Sequence, residues 1–115
     1  QSFLILSSRN FLITELLRTL VMTWHVESEH NCSYTEQAAF IMIVENAIRK
    51  HGIDNLSDVT NEVRSECQNE WPASGQFWVV LYDTNGAFNI SYGTASKKIF
   101  IKDSGKNDCV WAARI

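Results

Sequence analysis

Residues 76–115 read QFWVVLYDTNGAFNISYGTASKKIFIKDSGKNDCVWAARI, and this C-terminal segment indicates the class of fold. Four short runs rich in β-branched and aromatic residues alternate with turn residues, which is the pattern of β-strands joined by short connections. The pair Asn85-Gly86 is typical of a type I′ hairpin turn, because both central residues of that turn have positive φ. The segment therefore predicts an antiparallel meander of four strands.

The residues before this segment predict a strand followed by a helix. Residues 23–29 alternate apolar and polar side chains, as a half-buried strand does. Ser33 and Glu36 have the spacing of a capping box, in which each side chain binds the backbone amide of the other residue. The helix is predicted to run from Tyr34 to about Lys50, and Gly52 is placed to end it.

A second helix follows directly, with Ser57 as its predicted N-cap. It ends before Pro72, which cannot continue the hydrogen-bond ladder of a helix. One strand, two helices with one apolar stripe each and four further strands predict an α+β domain of two layers. Residues 23–115 are assigned to this domain. Residues 1–22 are assigned to an N-terminal extension, which is either an extra helix docked on the domain or the end of an upstream module.

The four predicted strands of the C-terminal segment differ in the residues they present. The first, from Phe77 to Tyr82, is apolar on both faces, which predicts a strand that is central or covered on both sides. The second alternates large apolar residues with Asn89, Ser91 and Gly93. Small polar residues leave the backbone of a strand accessible to another chain. The strand that ends at Thr94 is therefore the candidate interaction site.

Composition limits the classes of partner. The chain has 115 residues, of which 45% are hydrophobic, so it can bury a core without a metal ion or disulfide bonds. Its formal net charge of −3 argues against nucleic acid, which usually requires a basic surface. The apolar residues 3–6 and 11–22 are interrupted by charged and polar ones, whereas a membrane span needs about 20 mostly apolar residues. No membrane span is predicted.

The reactive side chains leave one enzymatic alternative open. The three cysteines are odd in number and widely spaced, which indicates free thiols in a reducing cytoplasm. His25, His30 and Cys32 are close in sequence, but a metal site needs three or four convergent ligands, so no metal or cofactor is predicted. A thiol or hydrolytic enzyme using Cys109 or Cys32 stays as an alternative, although no nucleophile motif is present.

Five segments carry a family resemblance: ENAIRKHG at 45–52, FWVV at 77–80, GAFNISY at 86–92, IFI at 99–101 and CVWAAR at 109–114. On these segments the chain, from Ala38 to Ile115, resembles the dynein light chain family, in its small dimeric hub type. The ending at residues 109–114 is most similar to the dynein-light-chain-like C-terminal domains of flatworm tegumental calcium-binding proteins. The Asp-rich twelve-residue calcium loop of the EF-hands in those proteins is absent from this sequence.

The resemblance implies a non-catalytic protein-interaction module that acts as a homodimer. Two copies exchange a strand, and extended peptide segments of partner proteins add to that strand as a further antiparallel strand. The positions that match the binding strand are Phe88, Asn89, Ile90, Ser91, Tyr92, Gly93 and Thr94, and those that match the floor of the groove are Ile99 and Ile101.

The resemblance also implies partners and a location. Extended peptide segments are the expected ligands, and the dynein intermediate chain is a candidate partner. The expected location is cytoplasmic and associated with the cytoskeleton, in the tegument if the source is a flatworm. A second alternative to peptide binding is a structural component of the tegument type that binds no peptide.

Overall fold

The structure is a computed structural model, and it describes residues 24–85 and 93–115. The predicted N-terminal extension lies outside these residues, as do positions 88–92 of the predicted interaction strand. The described residues form an α+β domain of two layers, which confirms the predicted class of fold. In chain order the elements are β1 (Trp24–His30), α1 (Tyr34–His51), α2 (Leu56–Glu70), β2 (Trp78–Asp83), β3 (Lys97–Asp103) and β4 (Cys109–Arg114).

The four described strands form one antiparallel sheet in the order β1-β3-β4-β2. The hairpin of β3 and β4 occupies the centre, and β1 and β2 lie at the two edges. This order differs from the predicted meander, because β1 joins the sheet and β2 pairs with β4. The strand at 77–82 is predicted to be central or covered on both sides, and the first of these alternatives is wrong for the described sheet, in which β2 lies at an edge. The central position belongs to β4, whose residues from Cys109 to Ala113 are all buried.

Helix α1 begins at the predicted capping box. The Ser33 Oγ accepts a hydrogen bond from the Glu36 amide at 3.2 Å, and a Glu36 carboxylate oxygen accepts one from the Ser33 amide at 2.9 Å. At the other end Gly52 has a φ of +85°, a backbone conformation that residues with a side chain rarely adopt. Its amide donates to the Ile48 carbonyl at 2.8 Å. The predicted start and stop signals of this helix are both confirmed.

Helix α2 begins earlier than predicted. Its N-cap is Asn55 instead of Ser57, because the Val59 amide donates to the Asn55 carbonyl at 3.0 Å and closes the first turn. The Asn55 side chain makes no capping bond; its amide group donates back to the His51 carbonyl at 2.6 Å. Asn55 therefore joins the end of α1 to the start of α2, and Ser57 lies inside the first turn.

The main core lies between the helices and one face of the sheet. Each helix contributes its apolar stripe, as the residue spacing predicts. The sheet contributes alternate residues of its strands, which point to the same side. Neither of the two described helices is long and apolar enough to cross a membrane. The buried side chains of this core include Phe40, Val44, Ala47, Val59, Val63, Cys67, Trp78, Ile99, Ile101, Val110 and Ala112.

Hydrogen bonds and an ion pair hold the helices on the sheet near the first residues of β2 and β3. The Lys97 ammonium at the start of β3 is 3.0 Å from the Glu36 carboxylate and donates to the Asn31 carbonyl at 2.7 Å. The Lys97 side chain is only 12% exposed, so solvent screens this pair less than a surface pair. The Trp71 carbonyl, just after α2, accepts from the Trp78 indole at 3.0 Å and from Arg114 at 3.2 Å.

The two helix starts allow a matched test of the capping geometry. We expect Ser33→Ala to lower the free energy of unfolding by about 1 kcal/mol, because it leaves the Glu36 amide without its capping bond. We expect Ser57→Ala to change it by less than about 0.5 kcal/mol, since this hydroxyl caps no helix. Urea denaturation followed by circular dichroism measures both. Equal losses for the two variants would contradict the assignment of the caps.

Candidate functional site

The face of the sheet that points away from the helices is the first part of the candidate site, and we call it the outer face. The strand register places Phe100 of β3 opposite Trp111 of β4, and Trp111 opposite Leu81 of β2. In the next row Lys98 lies opposite Ala113, which lies opposite Val79. Alternation along the strands puts all of these side chains on the outer face. The middle of this face is therefore apolar.

Part of the outer face is buried and part is exposed. Trp111 and Ala113 are 7% and 0% exposed and form a second, smaller apolar cluster with Ala95. On β2 and just before it, the apolar side chains are open: Phe77 is 59% exposed and Leu81 is 38% exposed. Large exposed apolar side chains that adjoin a buried cluster mark a surface suited to contact with another protein.

The edge of β2 is the second part of the candidate site. Within residues 24–85 and 93–115, β2 pairs with β4 and with no second strand. The ladder extends one residue beyond β2, where Phe77 and Ile115 exchange both backbone hydrogen bonds at 2.9 Å. An edge strand presents unpaired amide and carbonyl groups that another strand can bind. The site thus combines a regular strand edge with an exposed apolar surface.

The predicted interaction strand is described only at its C-terminal end. Positions Phe88 to Tyr92 lie outside the described residues, so their role stays a prediction. Gly93 and Thr94 form an exposed turn that leads into β3. A Cβ atom added at Gly93 would have open space around it, with no other heavy atom within 4 Å.

The two residues predicted to line the floor of the groove lie in the main core. Ile99 is 2% exposed and Ile101 is 0% exposed, and both side chains pack beneath the helices. Their role in a peptide groove stays a prediction. The sequence analysis did not single out Phe77 and Leu81 as site residues. Their signal is the second apolar face of the strand at 77–82, which predicts a strand that is central or covered on both sides.

The three thiols are in surroundings that suppress their reactivity. Burial raises the pKa of the Cys32 thiol, while the nearby Lys97 charge opposes that shift. Burial raises the pKa of Cys67 to about 12, and Cys109 is fully buried. A nucleophilic cysteine needs the opposite, a lowered pKa together with exposure. These environments do not support the thiol enzyme that the sequence analysis left open.

The residues considered as metal ligands in the sequence bind other partners in the structure. His25 forms a hydrogen-bonded pair with Glu27, and the Cys32 Sγ donates to the Lys98 carbonyl at 3.3 Å. Among the described residues, no group of three or more histidine, cysteine, aspartate or glutamate side chains is arranged to hold a metal ion.

Comparison with known proteins identifies the fold. No protein-family model matches the sequence, and no curated protein matches it significantly. Among solved structures, the chain is similar to the dynein light chain-like domain of the calcium binding protein FhCaBP2 from Fasciola hepatica, with a TM-score of 0.61. The match covers 82% of this chain and 93% of that one, at 11% sequence identity. The fold is therefore that of a dynein light chain-like domain, which confirms the resemblance predicted from the sequence.

The thiol environments give a direct chemical prediction. We expect Cys32 to react with iodoacetamide at neutral pH more slowly than free glutathione. We expect Cys67 to react far more slowly still, because a pKa of about 12 against an ordinary value of 9.0 leaves about a thousandfold less thiolate. Mass spectrometry of timed digests measures each rate, and unfolding in urea is the control that should make the rates similar. Alkylation of Cys32 faster than glutathione would restore the thiol-enzyme alternative.

Proposed function

We propose that this chain is a non-catalytic interaction module, which pairs with a second copy and binds extended peptide segments by strand addition along Phe88–Thr94. The observation that carries the proposal is the exposed apolar side of β2, at the edge of a sheet with a dynein light chain-like fold. The raised pKa values of Cys32 and Cys67 support a module without a catalytic thiol.

Pairing of two copies is supported by the position of the exposed apolar groups. Phe77 and Leu81 lie beside the buried cluster around Trp111, so a partner that covers them extends an existing core. Each square ångström of apolar surface removed from water contributes about 25 cal/mol to the free energy of association. A partner that covers both large side chains is therefore favoured over one that covers a single side chain. The edge of β2 supplies backbone groups in the same place, so a strand from a second copy satisfies both needs.

Peptide binding is supported by the composition of the predicted interaction strand. Strand addition takes its affinity from backbone hydrogen bonds and its specificity from alternate side chains. Asn89 and Ser91 are small and polar and Gly93 has no side chain, and alternation predicts that the three share one side of the predicted strand. In the proposed strand we expect this side to receive the bound segment and the large residues between them to face the domain.

The proposed partners follow from the same mode of binding. Extended, unfolded segments of other proteins fit an open strand edge, and the dynein intermediate chain is a candidate source of such a segment. The proposed location is the cytoplasm, in association with the cytoskeleton.

The pairing of two copies can be tested with two exposed residues. We expect sedimentation equilibrium at high micromolar concentration to give twice the 13.1 kDa of one chain. We expect the double variant Phe77→Ser, Leu81→Ser to weaken the association by about 2 kcal/mol or more, because large apolar side chains dominate such interfaces. Met42→Ser is the matched control, since Met42 is 60% exposed on the helical layer.

Two results decide the outcome of the pairing experiment. Circular dichroism must show that each variant remains folded, because only then does the change in mass report the interface. Wild-type chain that stays monomeric throughout the concentration series would overturn the proposed pairing. An equal loss of association in Met42→Ser would move the interface to the helical layer.

Strand addition can be tested at Ser91. We expect peptides selected from a random library displayed on phage to bind the wild-type chain, with fluorescence anisotropy as the measure of affinity. We expect Ser91→Pro to weaken their binding by about tenfold or more, because proline removes a backbone donor. Ser91→Ala is the matched control and should bind as the wild type does, since it keeps the amide. Unchanged binding by folded Ser91→Pro would rule out addition along this strand.

A further inference from the structure

A cleft of about 420 Å³ opens at one end of the sheet, beneath the C-terminal half of α1. It lies where β2 and β3 end and β4 begins, and the first residue of β1 also lines it. Its volume is in the range of small-molecule sites. We call it the acidic cleft, after the three carboxylates at its base: Glu45, Asp103 and Asp108.

All three carboxylates are at least nine-tenths buried. Glu45 is 7% exposed, Asp103 is 8% exposed and Asp108 is 7% exposed. They come from three elements, α1, β3 and the connection before β4. An Asp108 oxygen accepts a hydrogen bond from the Tyr82 hydroxyl at 2.9 Å, and an Asp103 oxygen accepts one from the Gly105 amide at 2.9 Å. Two of the carboxylates therefore have defined partners within the domain.

Glu45 differs from the other two. Its Oε2 atom is buried and has no hydrogen-bond partner among the residues that the structure describes. Burial raises the pKa of Glu45 and the charge of Asp103 adds to this shift, while Arg49 opposes it. A buried carboxylate oxygen without a partner is costly, because the lost hydration is not replaced. A cationic ligand in the cleft relieves this cost and the repulsion between Glu45 and Asp103.

The charges that line the cleft are unevenly placed. Its two basic residues, Arg49 and Lys106, are both exposed, so they stand at the rim in contact with water. The Arg49 guanidinium donates to the exposed Asn46 side chain at 2.7 Å. Of the described residues that line the cleft, the three acidic ones are therefore buried and the two basic ones are exposed. This arrangement favours a ligand whose positive charge reaches inward past the rim.

The walls of the cleft are suited to an apolar stem. Trp24 and Tyr82 pack edge to face, with ring centroids 6.2 Å apart and an angle of 80° between the planes. Ile48 and Ile53 line the opposite side from α1 and the turn after it. Aromatic faces attract organic cations, and the attraction is stronger when the cation is desolvated.

The spacing of the acidic groups decides between an organic cation and a metal ion. A divalent metal requires several oxygen atoms converging within about 2.6 Å of one point. No such group of side chains occurs among the described residues. An ammonium or guanidinium group is larger and donates hydrogen bonds in several directions, so it can serve acceptors that do not converge.

We propose that the acidic cleft binds an ammonium or guanidinium group carried on an apolar stem. The charged group occupies the base near Glu45, and the stem lies along Trp24 and Tyr82. Two sources share this chemistry: a free organic amine, and a lysine or arginine side chain presented by a protein segment. The inference is independent of pairing and of strand addition at 88–94.

The test compares charged probes with neutral probes of the same shape. Phenethylamine and phenethyl alcohol represent the free amine and its neutral counterpart, and Nα-acetyl-lysine methylamide and Nα-acetyl-norleucine methylamide represent the side chain. Nuclear magnetic resonance of the ¹⁵N-labelled chain follows the amides of Tyr82, Gly105 and Lys106. We expect at least one charged probe to shift these amides and to bind about tenfold or more tightly than its neutral counterpart. The charged probe that binds identifies the source.

Three variants locate the binding in the cleft. We expect Glu45→Gln to weaken binding of the charged probe by about tenfold, whereas Glu70→Gln, the same change at an exposed helix end, should leave it unchanged. We expect Lys106→Gln to strengthen binding, because it removes a like charge from the rim. If Glu45→Gln fails to fold, Asp108→Asn replaces it with the same expected loss.

Several results would overturn the inference. The inference is wrong if neither charged probe shifts the cleft amides. It is also wrong if the neutral probes bind as tightly as the charged ones. If Glu45→Gln and Glu70→Gln weaken the binding equally, the effect comes from the net charge of the chain and not from the cleft. Displacement of the bound amine by an equal concentration of calcium chloride, with shifts at the same amides, would assign the cleft to a metal ion instead.

Discussion

The burial of β4 on both of its faces is the constraint on which the rest of the domain depends. Five successive residues, from Cys109 to Ala113, are buried, so apolar side chains leave this strand in both directions. The two helices cover one direction and create the main core. The other direction ends in the smaller cluster around Trp111, beside the exposed Phe77 and Leu81. The outer face of this two-layer domain therefore combines a small buried apolar cluster with exposed apolar side chains, and the proposed pairing of two copies rests on that combination.

Local signals in the sequence predict the helices well. The order of the strands is predicted less well, because it depends on pairing between distant segments. The capping box at Ser33 and the glycine at position 52 act within a few residues, so their geometry is readable from spacing alone. The strand order depends on which segment buries the most apolar surface, a competition between distant parts of the chain. A strand with two apolar faces can be a core strand or an interface strand, and β2 was assigned to the first class for that reason.

The acidic cleft shows a different limit of sequence analysis. Glu45 lies more than fifty residues before Asp103 and Asp108 in the sequence, and the packing of α1 over the end of the sheet brings it near them. One signal was available, because Glu45 falls at a position of the apolar helical stripe, four residues after Ile41 and three before Ile48. A charged residue in such a stripe indicates a buried site, although it does not name the partners.

The two edge strands of the described sheet differ in the regularity of their pairing. Strand β1 has a break in register between Val26 and Ser28, whereas the pairing of β2 with β4 is continuous. A bulge twists an edge strand and interrupts its row of donors and acceptors. Endless edge-to-edge growth requires two receptive edges on every unit, as in fibrils. Among the described residues, β2 offers a continuous row of pairing groups and β1 an interrupted one, so under the proposed pairing through β2 any further edge-to-edge growth would meet an irregular strand.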